Sequence, residues 1–207
     1  LVSERQPFPG PGLSITVVGE ITPKKLDELK KANFIVEQAF EPHNPSQFFA
    51  AIFSGEQNRD LKVLRREASN ITGIDQRFIK AGILSEKATG IIDSGRVYGS
   101  IITLALEDAS DNVLRPDYDN LGSVLAYLKD NYPEATRLIY LVDEKDGAGY
   151  NIVMRAVKTK DFLKAESMRI PWITLSETAS KILESCTGVT KVYYDVTPKP
   201  PATIEYE

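Results

Sequence analysis

Cysteine and histidine are nearly absent from this chain of 207 residues, which contains one of each. A single cysteine, Cys186, excludes an internal disulfide, so a reducing compartment, the cytoplasm, is the expected location. A lone histidine, His43, without a second histidine or a cysteine cluster, does not supply the ligand spacing of a metal site. We therefore predict neither a disulfide framework nor a bound metal.

Long apolar runs and an excess of positive charge are missing as well. No stretch of about 18 apolar residues occurs and no signal pattern opens the chain, so we expect neither a membrane span nor secretion. The net charge is -4, whereas nucleic-acid-binding proteins normally carry a basic face, so nucleic acid is not an expected partner. A hydrophobic content of 42% is that of a globular domain with its own core.

The common catalytic motifs are also missing. The sequence has no G-x-x-x-x-G-K-S/T phosphate loop, no G-x-G-x-x-G, no H-E-x-x-H and no C-x-x-C. Cys186 lies on the apolar side of a predicted helix that ends at Gly188, with no basic neighbour to activate it. We predict that Cys186 is a core residue and that the chain carries no catalytic residue.

Local patterns predict several elements before the middle of the chain. Residues 13–18 alternate between apolar and polar side chains, which predicts a strand. Thr22 and the proline after it predict the start of a helix that ends before Pro42. We interpret residues 41–60 as a loop with a short apolar helix inside it, and residues 58–70 as a second helix.

An internal repeat organises the rest of the chain. "RVYGSIITLALEDAS" (residues 96–110) is echoed by "AGYNIVMRAVKTKDF" (residues 148–162), and each is followed by a helical pattern and a further strand. In this alignment Ile101, Thr103 and Ala105 correspond to Val153, Arg155 and Val157, and residues 136–140 correspond to residues 190–194.

The repeat predicts an α+β fold: two repeated two-layer units of antiparallel sheet covered by helices. Two small sheets and one sheet built from two halves both remain open. We divide the chain into residues 1–95 with the proline loop, strand and helices, residues 96–145 as the first strand-helix-strand unit, and residues 146–207 as the second unit with the tail.

Two stretches suit ligand binding. In "RQPFPGPGL" (residues 5–13) the prolines hold the backbone extended, and Gly10 and Gly12 lack a Cβ that would keep a ligand away; a polyproline linker or docking peptide is the alternative. In "DVTPKPPATIEYE" (residues 195–207) prolines restrict the backbone around Lys199, and the Thr203 hydroxyl adds a donor for a phosphate. A surface-pinned tail or an SH3-type ligand is the alternative there.

A third stretch is "DSGRVYG" (residues 93–99), in which Arg96 stands at a loop-to-strand junction beside a glycine and a small hydroxyl. This arrangement suits an anion pocket, and the alternative is a surface salt bridge.

In this order, the three stretches resemble the C-terminal domain of GMP synthetase. Family members carry a P-F-P-G-P-G-L stretch, a G-D-G-R-x-Y stretch and a final K-P-P-A-T-I-E-W-E. The matching stretches here are "PFPGPGL" (7–13), "DSGRVYG" (93–99), "KDF" (160–162) and "KPPATIEYE" (199–207). Residues 41–90 and 108–148 match weakly.

The resemblance implies a part of an enzyme that aminates xanthosine monophosphate (XMP) to GMP in purine nucleotide biosynthesis. In the family a preceding ATP pyrophosphatase domain uses ATP and magnesium to adenylylate XMP, and a glutamine amidotransferase domain or subunit supplies ammonia. The resemblance implies that this chain is a C-terminal piece that binds no cofactor by itself and is inactive alone. Family members have one or two repeat units, and this chain resembles the two-unit type, either monomeric or a homodimer.

The resemblance also implies site residues. The residues implied to line the nucleotide pocket, contact the phosphate or close over XMP are Pro9, Gly10, Pro11, Gly12, Arg96, Lys199, Thr203, Ile204 and Glu205. Ser94 stands where the family has an aspartate, with Asp93 one position earlier. We further predict that the loop around Gly10 and the tail around Lys199 approach each other near Arg96. The alternative function is a non-enzymatic interaction or nucleic-acid-binding module of similar topology, which the acidic charge disfavours.

Overall fold

A computed structural model describes residues 12–55 and 57–207 of the chain. Short 3-10 helices span Gly12–Thr16, Glu41–His43 and Gln76–Phe78. The other elements, in chain order, are α1 (Pro23–Phe40), β1 (Gln47–Phe53), β2 (Gln57–Asp60), α2 (Lys62–Thr72), β3 (Ile79–Ile92), β4 (Gly95–Leu106), α3 (Tyr118–Asn131), β5 (Ala135–Glu144), β6 (Tyr150–Lys158), β7 (Glu166–Ser167), α4 (Trp172–Ser185) and β8 (Val189–Asp195).

The predicted first helix is confirmed as α1. The hydroxyl of Thr22 accepts a hydrogen bond from the backbone N–H of Lys25 at 3.2 Å, and Pro23 occupies the first helical position. The helix ends at Phe40, before Pro42. Leu29, Val36 and Phe40 form the stripe that it buries against the sheet.

Two local predictions in this region are wrong. Residues 13–18 do not form a strand: Gly12, at a φ of 61°, begins a 3-10 helix, and only Val17 joins the sheet through one bridge to Ile52. Residues 41–60 contain a fully buried strand, β1, in place of a helix. A short continuous apolar run suits a strand buried on both faces as well as a helix, so periodicity does not separate the two.

The second predicted helix exists as α2, but it starts at Lys62 because residues 57–60 form strand β2. Strand β3, the longest strand of the described residues, was not predicted. Its apolar pattern is interrupted by Ser85, Glu86 and Lys87, and its pairing with β4 shifts register between Ile83 and Lys87.

The described strands form one eight-stranded sheet in the order β1-β6-β8-β5-β4-β3-β2, with β7 paired to β6. The buried apolar side chains of α1, α2, α3 and α4 all belong to the cluster on one face of the sheet. The opposite face carries a second apolar cluster, which includes Val18 near the start and Ile204 and Tyr206 near the end of the chain. Helices on one face and extended segments on the other confirm the predicted α+β class.

Both predicted strand-helix-strand units are present, and they form one sheet built from two halves. Within each unit the strands are parallel, β4 with β5 and β6 with β8, which corrects the predicted antiparallel pairing. Parallel neighbours need a long crossover, and α3 and α4 supply it. Antiparallel pairing instead joins the two units, between β5 and β8.

The two units are related by an internal pseudo-twofold axis. Tyr140 pairs with Tyr194 in the β5–β8 ladder, and the pairs on either side of it, Ile139 with Asp195 and Leu141 with Tyr193, exchange under the twofold. The backbone N–H of Ser100 donates to Glu134 O at 2.8 Å, and that of Tyr150 donates to Gly188 O at the same distance. Residue 100 is therefore equivalent to residue 150, which places the predicted alignment of β4 with β6 two residues out of register. A shift of two keeps every side chain on the same face of a strand, so the predicted face was right.

No helix within residues 12–55 and 57–207 has both the length and the apolar character needed to cross a bilayer. The division into segments 1–95, 96–145 and 146–207 stays a prediction, and one sheet contains strands from all three.

Candidate functional site

A cleft of about 340 Å³ opens where the β3–β4 hairpin meets the tail (residues 196–207) that follows β8. Its walls combine two cations, two carboxylates, two hydroxyl groups and one apolar side chain. The lining residues are Ile91, Ser94, Arg96, Lys199, Thr203, Glu205 and Glu207. Residues about one hundred positions apart in the sequence thus share one site.

The hairpin contributes one cation to the cleft. Strands β3 and β4 are joined by Asp93 and Ser94, both at positive φ (49° and 64°), the conformation of a tight two-residue hairpin turn. This turn places Arg96, which is exposed, opposite Ile91 in the ladder. Of the two candidates for the family's aspartate position, Ser94 is the one that lines the cleft.

The tail contributes alternate residues to the cleft, with a bend at Ile204 and Glu205. Ala202, Ile204 and Tyr206 are buried, whereas Thr203, Glu205 and Glu207 between and after them are half-buried and line the cleft. The backbone of the tail is bonded to β3: Ile91 N–H donates to Pro201 O at 2.7 Å, and Thr89 N–H donates to Tyr206 O at 2.9 Å.

Lys199 is held in place by its backbone. Its N–H and C=O pair with Ala165 at 2.7 and 3.1 Å, and the peptide bonds before Pro200 and Pro201 are both cis. The Lys199 ammonium donates to Phe162 O at 2.6 Å. An ammonium has three donors, so this contact orients the charge and leaves hydrogen-bonding capacity for a ligand.

Glu207 connects the cleft to the start of the described chain. Its backbone N–H donates to Ile15 O at 3.1 Å, and its carboxylate accepts from Gly19 N–H at 3.4 Å and from the Tyr98 hydroxyl at 2.9 Å. The hydrogen bond and the charge of Glu207 raise the pKa of Tyr98. Gly10 lies outside the described residues, so its predicted approach to Lys199 stays a prediction, and the segment after it does reach the tail.

The other predicted site residues fall into three groups. Arg96, Lys199, Thr203 and Glu205 meet in the cleft. Ile204 does not line it: its side chain is buried in the second apolar cluster. Gly12 begins the 3-10 helix, and the remaining residues of the proline loop, Pro9, Gly10 and Pro11, lie outside the described part of the chain.

The Thr203 hydroxyl has a different use from the predicted one. It accepts a hydrogen bond from Arg137 Nη2 at 2.9 Å, and it lies within 2.6 Å of Glu205 O and 3.0 Å of Thr89 O. A hydroxyl can donate one hydrogen bond, and the Thr203 hydroxyl donates it to these carbonyls. Thr203 therefore stabilises the turn of the tail at the cleft, whereas the sequence predicted a free donor for a phosphate.

Beneath the tail lies a buried triad of Arg137, Arg155 and Asp195, which the sequence analysis did not single out. All three side chains are fully buried, and both arginines contact the same carboxylate oxygen of Asp195, at 3.0 and 2.7 Å. The Tyr206 hydroxyl donates to that oxygen at 2.8 Å, and Thr197 N–H donates to the other at 2.9 Å.

The triad holds its charges by mutual compensation. Burial opposes ionisation of Asp195, but the guanidinium groups of Arg155 and Arg137 outweigh it and hold the pKa of Asp195 below its ordinary value. Burial and the neighbouring Arg155 lower the pKa of Arg137, while Asp195 acts in the opposite direction. The ring of Tyr206 lies 4.2 Å from the Arg137 guanidinium and covers it.

The triad does leave a trace in the sequence. "TRLIY" and "VMRAV" each place an arginine inside an apolar strand, and "YYDVT" places an aspartate at the end of another. A charge in a strand buried on both faces needs a partner. Two arginines and one aspartate in three such strands could therefore have indicated a buried ion cluster.

The cleft is suited to holding a polar anion. Arg96 and Lys199 supply positive charge, and Glu205 and Glu207 supply acceptors for hydroxyl or N–H groups of a ligand. This set of charges and hydrogen-bonding groups can bind and orient such a ligand.

Comparison with known proteins supports the predicted resemblance. Residues 141–206 match the family model described as the GMP synthase C terminal domain. Over 206 residues the chain is 39% identical to a subunit of the glutamine-hydrolysing GMP synthase of Saccharolobus solfataricus, an alignment that covers all of this chain and 49% of that protein. The resemblance to GMP synthetase is confirmed.

More distant relatives are named as the same kind of subunit. The GMP synthase subunit of Sulfurisphaera tokodaii is 36% identical over 209 residues, covering all of this chain and 50% of the relative. That of Archaeoglobus fulgidus is 29% identical over 206 residues, covering all of this chain and 41% of the relative. The chain thus spans about half the length, or less, of these GMP synthase subunits.

Cys186 is confirmed as a core residue, fully buried at the end of α4. Burial, with a smaller contribution from Glu28, raises the pKa of its thiol to about 11. At pH 8 we expect Ellman's reagent to react with the folded chain at least ~100-fold more slowly than with the chain in denaturant, because little thiolate forms. Equal rates in the two states would contradict the buried position.

Proposed function

We propose that this chain supplies the XMP-binding part of a GMP synthetase, the glutamine-hydrolysing ligase that uses ATP to aminate XMP to GMP. The observation that carries the proposal is the meeting of Arg96 and Lys199 in one cleft, because the resemblance assigns both to the phosphate of XMP. Relatives aligned over the whole chain are named as subunits of glutamine-hydrolysing GMP synthase, which supports the same conclusion.

The charges of the cleft suit a nucleoside monophosphate. Arg96 offers a planar guanidinium for two phosphate oxygens, and Lys199 adds a point charge from the tail. Glu205 and Glu207 would repel a phosphate, so we assign them to the ribose hydroxyls, to the base or to a neighbouring cation. The proposed orientation therefore places the phosphate near Arg96 and Lys199.

The chain's own residues bind and orient XMP in this proposal. We assign ATP and magnesium to a pyrophosphatase domain of the same enzyme, and the ammonia to a glutamine amidotransferase domain or subunit. The β5–β8 ladder joins two equivalent units inside one chain. This internal pairing supports the proposal that the second unit occupies the surface through which a one-unit chain would pair with another copy. We also propose that the enzyme is cytoplasmic.

The decisive experiment is XMP titration by calorimetry with Lys199→Ala in the complete enzyme. Loss of a charge-assisted hydrogen bond should raise the Kd for XMP about 10- to 100-fold. Lys181→Ala, the same substitution on the exposed side of α4 across the sheet, is the matched control and should leave the Kd unchanged.

A second ligand locates the effect on the phosphate. Xanthosine lacks the phosphate, so Lys199→Ala should leave xanthosine affinity within about 2-fold of the unsubstituted enzyme. Arg96→Ala combined with Lys199→Ala should cost less than the sum of the single losses if both side chains hold one phosphate. Unchanged XMP affinity in Lys199→Ala would show that the assigned phosphate contact is wrong.

A further inference from the structure

We propose that Arg137, Arg155 and Asp195 are positioning residues for the cleft, which hold the tail by its backbone carbonyls so that Thr203, Glu205 and Glu207 line it. The inference rests on the proposed function for the identity of the ligand. The attachment of the tail is a property of the fold and is measured without any ligand.

The contacts of the two arginines are concentrated on the tail. Arg155 donates to Ile204 O at 2.8 Å through Nε, to Thr197 O at 3.0 Å through Nη1 and to Thr203 O at 2.9 Å through Nη2. Arg137 donates to Glu205 O and to the Thr203 hydroxyl. Four carbonyls of this short segment are thus held by side chains from β5 and β6.

Arginine is the residue suited to this task. A tail on the face of a sheet has carbonyls that no ladder satisfies, and each buried carbonyl without a donor is costly. A guanidinium presents five donors in a fixed plane, so one side chain can satisfy several carbonyls at once. Asp195 compensates one of the two positive charges. The ring of Tyr206 and the dipoles of the bonded carbonyls stabilise the remaining positive charge.

The side chains of the tail and its backbone are held by different groups. Ile204 and Tyr206 pack in the second apolar cluster, which fixes the tail on this face. The arginines hold three consecutive carbonyls, those of Thr203, Ile204 and Glu205, and so fix the bend of the tail at which Thr203 and Glu205 face the cleft. A slip of one residue would place Ile204 and Tyr206 in the cleft and bury Glu205.

The triad takes Arg137 from the first unit and Arg155 and Asp195 from the second, and it occurs at only one of the two positions that the pseudo-twofold axis relates. By the pseudo-twofold axis, Arg155 corresponds to Ala105, Arg137 to Lys191 and Asp195 to Leu141, from the strand registers. Lys191 bonds instead to Glu144 at 2.6 Å. Among the described residues, one triad therefore underlies one docked tail and one cleft, although the backbone frame is present twice.

Amide hydrogen exchange measures the attachment of the tail. The reporters are the amides of Thr89 and Ile91, whose acceptors are Tyr206 O and Pro201 O. Removal of one partner from a buried charged cluster is strongly destabilising, so Arg137→Met should speed exchange at both amides by ~100-fold or more. The amides of β8 are bonded within the sheet, so their exchange rates should change only as far as the global free energy of unfolding changes.

Two further variants separate the triad from general destabilisation. Leu104→Ala removes a buried side chain from the helix-covered face and should lower global stability. In this variant, exchange at the amides of Thr89 and Ile91 should speed up no more than exchange at the amides of β8. Tyr206→Phe keeps the ring over Arg137 and removes only the hydrogen bond to Asp195, so exchange at the two reporters should rise about 10-fold. This milder variant carries the test if Arg137→Met does not fold.

XMP affinity in the complete enzyme provides the second arm. We expect Tyr206→Phe to raise the Kd for XMP in step with the loss of reporter protection, and Leu104→Ala to leave it unchanged. Arg137→Lys, which retains the charge, should recover part of the affinity lost in Arg137→Met. If Thr89 and Ile91 stay as protected as β8 in both Arg137→Met and Tyr206→Phe, the triad does not hold the tail.

The outcomes distinguish the two proposals. Loss of reporter protection together with unchanged XMP affinity would overturn the positioning role. Loss of reporter protection in an enzyme whose XMP affinity does not respond to Lys199→Ala would refute the proposed phosphate site and leave the attachment of the tail supported.

Discussion

Asp195→Ala is expected to lower the free energy of unfolding by about 3–5 kcal/mol, because it leaves two buried guanidinium groups without a counter-charge. Both arginines contact one oxygen of this carboxylate, and the Tyr206 hydroxyl donates to the same atom. The measurement is urea denaturation at pH 7 followed by circular dichroism. Asp195→Asn keeps the shape and part of the hydrogen bonding, so its loss should be intermediate.

A matched aspartate tests whether burial is the cause. Asp60 pairs with Arg65 at 3.2 Å, but about half of its side chain is exposed. Exposed pairs contribute little, so Asp60→Ala should cost less than about 1 kcal/mol. Equal losses for Asp195→Ala and Asp60→Ala would contradict the view that the triad is a tightly compensated buried cluster.

Gly99→Ala and Gly149→Ala are expected to destabilise the chain by about 1–3 kcal/mol each, through overpacking at equivalent places in the two units. A Cβ at Gly99 would lie 2.2 Å from Thr136 Cγ2 and 2.5 Å from Glu134 O. At Gly149 it would lie 2.7 Å from both Thr190 Cγ2 and Gly188 O. Backbone oxygens cannot move aside easily, so β4 or β6 must shift. Thermal or urea unfolding measures both losses.

Gly122→Ala is the control for these two substitutions. Gly122 lies within α3, and among the described residues no atom outside the helix backbone and the adjacent residues would lie within 4 Å of a Cβ added there. Alanine should therefore stabilise the helix by about 1 kcal/mol. A pair of neutral results at Gly99 and Gly149 would contradict the close approach of strand and loop that both units share.

The local elements that could be predicted are those with short-range causes. The start of α1 follows from Thr22 and Pro23, and its end before Pro42 follows from the same backbone constraints. Strand β1 could not be predicted because its apolar run suits either a strand or a helix. Strand β3 could not be predicted because Ser85, Glu86 and Lys87 interrupt its pattern, and its pairing with β4 and the tail sets its extent.

The candidate site was predicted in part. Arg96 and Lys199 are where the sequence motifs placed them, in one cleft. Glu207 was not predicted to line that cleft, and Ile204 was predicted to contribute to the site although its side chain is buried. The alternation of apolar and polar residues over residues 202–207 could have shown this, because the apolar set of such a segment faces the core.

By itself the sequence determined the local and repeated features of this protein: a capped first helix, two strand-helix-strand units, and motifs at both ends that resemble GMP synthetase. Only the tertiary structure decided that the units pair through β5 and β8, and that the tail meets Arg96. The physical reason is that Arg137 and Arg155 hold the carbonyls of the tail from positions about 40 to 70 residues away. Contacts of that separation are set by folding, because no local pattern in either segment specifies its partner.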